Sequence, residues 1–165
     1  ELLLKTFGCV RFVYNQMLDK KIKYYELTKK SIQVTPASFK VEYPFLKEVD
    51  SLALANAQLH LESAFQKFFN EKNIGFPRWK CKHDSKHSYT TNLVNGNIKL
   101  YSDISNRYTY IRLPKVGAIR IHLHRLPKGT LKSVTITKQN NRYTATCLFQ
   151  NEVEIKHKEV HTALG

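Results

Sequence analysis

Across the segment Gly75-Phe-Pro-Arg-Trp-Lys-Cys-Lys82, the interval at which apolar residues recur changes from about 3.6 to 2 residues. No single regular element satisfies both intervals, so this basic, aromatic, proline-marked joint has to connect a helical half to a strand-rich half. Upstream, Phe7, Val10, Tyr14, Met17, Leu18, Ile22 and Tyr25 fall at three- and four-residue steps and predict a helix over 7–28, with Arg11, Lys20 and Lys21 off its apolar stripe. Thr35-Pro36 and Tyr43-Pro44 steer the preceding residues away from helical angles, leaving room for at most one short helix between them. Asp50-Ser51 is an N-cap signal for a second long helix reaching about Lys72. Its stripe is Leu54, Leu61, Phe65 and Phe68, widened by Ala57, Leu59, Ala64 and Phe69, with the phenylalanines expected in the core. Asn73 to Gly75 and then Pro77 stop it. The expectation is a lobe of two antiparallel helices.

Downstream, residues 88–94, the Asn95-Gly96 pair and residues 97–101 predict a hairpin, because Asn-Gly tolerates the positive φ angles of a tight primed turn. Further strands are predicted at 108–113, 119–124, 131–137 and 142–150. In 119–124 the alternation places Ile119, Ile121 and Leu123 inward and Arg120, His122 and His124 outward. Six short strands suggest a small barrel or sandwich, and the fold class is α+β.

The charge is uneven. Of 165 residues, 27 are Lys or Arg and 13 are Asp or Glu, a formal net charge of +14. Between Lys82 and Arg142 there are 12 basic residues against only Asp84 and Asp103, an excess that favours a polyanion because each neutralised phosphate releases a counterion. A membrane surface is the rival polyanion, but no apolar run approaches about 18 residues. Cys9, Cys81 and Cys147 are odd in number and widely spaced, as expected for reduced intracellular thiols.

The outward strand positions include Lys99, Arg112, Lys115, Arg120, His122, Arg125, Lys132, Lys138 and Arg142, interleaved with Tyr89, Tyr101, Tyr108, Tyr110 and Tyr143. Cations grip phosphates and aromatic faces stack on unpaired bases, so this pattern points to nucleic acid, against the plainer alternative of a solvated face. Arg78, Lys80, Lys82 and Lys86 extend the basic set through the joint. On the second helix, Ser51, Asn56, Gln58 and His60 could address base edges or simply face water. Cys81, His83 and His87 have ligand chemistry but no fourth partner for a structural zinc, and the scattered carboxylates form no set for catalytic magnesium, so neither a metal nor a catalytic residue is assigned.

Five stretches in order, Gly8-Cys-Val-Arg-Phe-Val-Tyr-Asn15, Phe45-Leu-Lys-Glu-Val-Asp50, Ala64-Phe-Gln-Lys-Phe-Phe69, Gly75-Phe-Pro-Arg-Trp-Lys80 and Leu113-Pro-Lys-Val-Gly117, resemble the TnpB (OrfB) proteins of insertion sequences, RNA-guided DNA endonucleases related to type V CRISPR effectors. The resemblance implies a helical, helix-turn-helix-like recognition lobe over 1–75. It further implies an oligonucleotide-binding-like wedge barrel over 76–160 and, at 161–165, the start of a linker into a RuvC-like nuclease, with Gly165 matching the glycine of its Gly-x-Asp motif. The wedge would hold a guide RNA, through Arg78, Lys80, Lys82, Lys86, Tyr89, Lys99, Arg112, Lys115, Arg120, His122, Arg125 and Lys132. Ser51, Asn56, Thr91, Asn92 and Asn95 match positions that read a target-adjacent motif on double-stranded DNA. Magnesium and zinc would belong to the nuclease half, so this chain is expected to need no cofactor, to bind without cutting, and to work in a prokaryotic cytoplasm away from membranes. Two rivals remain: a stand-alone RNA-binding barrel of translation or ribosomal type, and a DDE transposase, for which converging carboxylates are lacking.

Overall fold

The structure, a computed structural model, describes residues 1–105, 107–125 and 127–151; the expected linker at 161–165 lies outside them. Helix α1 runs Leu2–Thr28 and ends at Lys29, whose left-handed φ of 55° lets its N–H reach the Tyr25 carbonyl. Phe7, Val10, Tyr14, Met17 and Leu18 are buried as their spacing predicts, joined by Cys9 and Val13. Tyr25, at the end of the same stripe, is 57% exposed. Helix α2 runs Ser51–Asn70, shorter than α1 by about two turns, so the last part of α1 has nothing to cover it.

The chain between the helices forms two 3₁₀ turns, Pro36–Phe39 and Pro44–Lys47, where one short helix was expected. Each proline occupies the first position, where its missing N–H costs nothing, so the prolines that forbid a continuous helix start two short ones. The turns bury Phe39 and Leu46. They also reverse the expected helix direction. Lys5 near the start of α1 pairs with Glu48 just ahead of α2, and the Lys21 ammonium near the end of α1 lies 5.8 Å from the Phe65 ring in the later half of α2. The helices therefore run side by side in the same sense, and the connection returns the chain.

Strands β1 (Lys86–Asn92), β2 (Lys99–Ser102), β3 (Thr109–Leu113), β4 (Gly117–Ile121), β5 (Thr130–Gln139) and β6 (Arg142–Gln150) complete the α+β fold. They form two antiparallel three-stranded sheets, β1-β5-β6 and β2-β3-β4, and no closed barrel is formed among the described residues. The predicted 88–101 hairpin is corrected in one respect. Asn95 and Gly96 do take positive φ, 49° and 70°, and the Asn97 N–H closes on the Val94 carbonyl at 3.1 Å. Yet β1 pairs with β5, not β2, because Leu93 N–H continues to the Lys132 carbonyl at 2.7 Å. Pairing with β5 sets Tyr89 opposite Ile136 and Thr91 opposite Val134, an apolar surface that can meet the helices. The polar tip of a local hairpin offers none.

Strand β1 binds the two halves of the molecule together. Phe7 of α1 meets Tyr89 edge-on at 5.4 Å, and Asp50 ahead of α2 accepts the Thr91 hydroxyl. Buried side chains of helices and both sheets belong to one cluster, including Met17, Leu54, Leu61, Ile111 and Val134. Each such aliphatic side chain contributes about 1.5–3 kcal/mol on burial.

Candidate nucleic-acid interface

Sheet β2-β3-β4 separates its residue types cleanly. Leu100, Ile111 and Ile119 are aligned across the strands on the core side. On the other side Lys99, Arg112 and Ala118 form one row and Tyr101, Tyr110 and Arg120 the next. The Tyr101 and Tyr110 rings stack with centroids 5.7 Å apart and planes 20° from parallel, and the Arg120 guanidinium lies 4.7 Å from the Tyr108 ring. Lys99 opposite Arg112 is a like-charge pair, which costs stability in a sheet and suits a face that meets anions.

Beside that pair the Asn95-Gly96 turn and the β3–β4 turn flank an open cleft of about 500 Å³, lined by Gly96, Asn97, Lys99, Arg112, Lys115 and Gly117. Lys115 holds the left-handed φ of 64° that this tight turn requires, closed by Val116 N–H on the Pro114 carbonyl at 2.7 Å. Three cations and no carboxylate line the opening.

Nearby acids are otherwise engaged. Asp103 accepts the Ser105 hydroxyl and, at 2.8 Å, the Tyr108 N–H, contacts that hold its carboxyl below the usual range. Asp84 accepts the Cys81 N–H at 3.0 Å. Among the described residues both ion pairs, Lys5–Glu48 and Lys23–Asp19, lie in the helical half. The cations of the sheets are thus left for an external anion.

The other basic positions divide by exposure. Arg78, Lys82, Lys86, Arg125, His122 and Lys132 stand at the surface. Lys80 does not display its charge: its ammonium lies 4.2 Å from the Tyr14 ring, and burial pushes its pKa down against the opposing pull of Asp84. Tyr89 is 2% exposed and offers no ring face, its hydroxyl pushed up first by burial and then by the charge of Asp50. Among the described residues no cluster of three His, Cys, Asp or Glu side chains could hold a metal ion.

The five positions expected to read DNA converge in space. Asp50 caps α2 by accepting Leu52 N–H at 3.0 Å and also receives Thr91, while Asn56 and Asn92 approach to 3.5 Å. Thr91 and Asn56 are 0% and 7% exposed, so their polar atoms serve this junction instead of facing a groove. Asn56 donates to the Leu52 carbonyl at 2.9 Å. Ser51 and Asn95 are exposed and Asn92 half-buried. Lys40, which the sequence did not single out, donates to the Ser51 hydroxyl at 2.8 Å and adds a cation beside it.

Asn15 was also missed, although an amide in the middle of an apolar helix face is itself a signal. Its side chain grips the Lys80 backbone, accepting from the N–H and donating to the carbonyl, both at 3.0 Å. Asn15→Ala is expected to cost about 1–2 kcal/mol, because two backbone groups lose partners. The check is chemical denaturation alongside hydrogen exchange, with amide protection lost first at residues 78–82.

An acid-free basic sheet with stacked tyrosines, joined through one core to paired helices, defines a protein of the nucleic-acid-binding class. The helix-turn-helix domain model of the OrfB proteins of IS605 matches residues 1–30, which here form a single helix and its cap. A Streptomyces pristinaespiralis protein named "Putative RNA-guided DNA endonuclease" is 34% identical over 110 residues, covering 59% of this chain and 27% of that protein. The Escherichia coli K12 protein named "Putative RNA-guided DNA endonuclease InsQ" is 29% identical over 153 residues, covering 88% of this chain and 36% of its own length. Virulence protein VsdF of Salmonella dublin is 35% identical over 100 residues, half of this chain and 82% of that protein. The chain belongs to the TnpB/OrfB family of insertion-sequence proteins. It spans roughly a third or less of the two endonuclease-named relatives.

Proposed function

We propose that this chain is the nucleic-acid-gripping part of an RNA-guided DNA endonuclease encoded by an insertion sequence. In this reading, residues 1–75 are the recognition lobe and 76–160 the wedge, an oligonucleotide-binding-like barrel to which both sheets belong. The wedge holds a guide RNA in a prokaryotic cytoplasm. The start of α2, with Ser51 and Lys40, acts with the Asn92–Asn95 turn on target-adjacent double-stranded DNA. The chain binds without cutting, and magnesium and zinc belong to a nuclease half.

The observation that carries the reading is the exposed face of β2-β3-β4, where Lys99, Arg112 and Arg120 stand with stacked tyrosines and no carboxylate. Four phosphates held by Lys99, Arg112, Lys115 and Arg120 give a plot of log affinity for a structured RNA against log salt with a slope of about −3. Filter binding across a salt series measures it. A slope near zero, or no binding in dilute buffer, overturns the reading.

A further inference from the structure

The face of β1-β5-β6 turned away from the helices has a composition unlike an ordinary wet surface. In register across the strands lie Ser88, Thr137 and Thr144, and in the next outward row Thr90, Thr135 and Thr146. Six hydroxyls therefore form a two-by-three grid, spaced about 4.8 Å across strands and about 6.7 Å along them. Ser88, Thr144 and Thr146 are exposed and the other three half-buried. Thr90 and Thr135 share one hydrogen bond of 2.8 Å, which leaves both oxygens able to accept another. The row beyond Ser88 places Lys86 and Arg142 on the same face, at the two edges of the sheet. No Asp or Glu occurs on any of these three strands. A solvated face ordinarily mixes both signs of charge, so an acid-free hydroxyl grid with cations along one end departs from that pattern.

We infer that this hydroxyl grid is a docking surface for an A-form RNA duplex, with hydroxyls meeting ribose 2′-OH groups across the minor groove and Lys86 and Arg142 meeting the bordering phosphates. The inference rests on the nucleic-acid-binding reading above and adds a separate surface that selects ribose. A ribose 2′-OH both donates and accepts, as does a threonine hydroxyl, so each can satisfy the other in either sense. A sheet face is too broad for the deep, narrow major groove of A-form RNA, whereas the shallow minor groove displays its 2′-OH groups to such a surface. The cations supply attraction without regard to sugar, and the hydroxyls supply the discrimination.

The test compares one hairpin sequence made as RNA, as DNA, and as RNA with 2′-O-methyl groups in the stem, each titrated with the full chain at fixed salt. The chain should bind RNA about tenfold tighter than DNA, the effect of losing two or three modest hydrogen bonds, and 2′-O-methylation should remove most of that preference. In the variant carrying Thr135→Val, Thr137→Val and Thr146→Val, β-branched side chains are retained, and the RNA preference should fall below about twofold while DNA affinity stays unchanged. Equal binding of the three unmodified-chain ligands overturns the ribose-selecting grid while leaving nucleic-acid binding in place. Binding to none of them overturns both. The ligand series uses the unaltered chain, so it decides the matter even if the triple variant fails to fold.

Discussion

Asp50→Ala lowers the free energy of unfolding by about 2–4 kcal/mol, the sum expected from a lost helix cap and a stranded buried hydroxyl. One oxygen of this carboxylate holds Leu52 N–H at the start of α2, and the other receives Thr91 from the centre of β1. Both Asp50 and Thr91 are buried, so water cannot replace either partner. In a chain of this size the loss lowers the thermal midpoint by about 10 °C. Asp50→Asn keeps an acceptor for the cap and should cost less than half as much. Thr91→Val leaves the carboxylate short of a partner, and a double-mutant cycle with Asp50→Ala should show coupling of about 1 kcal/mol, since both changes break one contact. Urea denaturation followed by circular dichroism measures all four proteins. A loss below about 1 kcal/mol for Asp50→Ala would mean that the strand and helix halves are held together elsewhere.

What the sequence made legible was local. The cap at Asp50, the positive-φ turn at Asn95-Gly96 and the buried stripe from Phe7 to Leu18 each depend on a few neighbouring residues, and each stands where expected. Non-local choices were hidden. Nothing near Asn95 reveals that β1 takes its neighbour from residues 130–139, because that choice depends on whether the paired surface can cover the helices. A periodic stripe likewise shows which side of a helix is apolar but not how far the covering partner extends. Phe69 is 75% exposed and forms an outer aromatic cluster with Phe65, Phe68 and Phe76 instead of entering the core. At the site, charge was legible and burial was not. Lys99, Arg112 and Arg120 stand exposed on one face, whereas Tyr89, Thr91 and Asn56, equally polar in sequence, are drawn into the junction that packs β1 against the helices.

Arg112→Glu combined with Arg120→Glu should weaken binding to structured RNA about 100-fold or more near 0.1 M salt, because each reversal removes a phosphate contact and adds a repulsion. The salt slope should become shallower by about 2, one for each lost contact. Misfolding is a poor rival explanation for such a loss, and the sheet geometry shows why. Glu at 112 faces Lys99 directly, so a like-charge pair becomes an attractive one and stability is held or raised by a few tenths of a kcal/mol. Glu at 120 gives up the guanidinium over Tyr108, an exposed contact worth about 0.5–1 kcal/mol. The two changes nearly offset, and the melting temperature should stay within a few degrees of the parent. Lys29→Glu with Lys30→Glu makes the same change in net charge at the exposed end of α1, away from both sheets. That control should lose less than about threefold, through long-range field alone. Filter binding at two salt concentrations separates the cases: equal losses from the two pairs would place the grip in total charge, whereas a loss confined to Arg112 and Arg120 places it on the tyrosine-bearing face of β2-β3-β4.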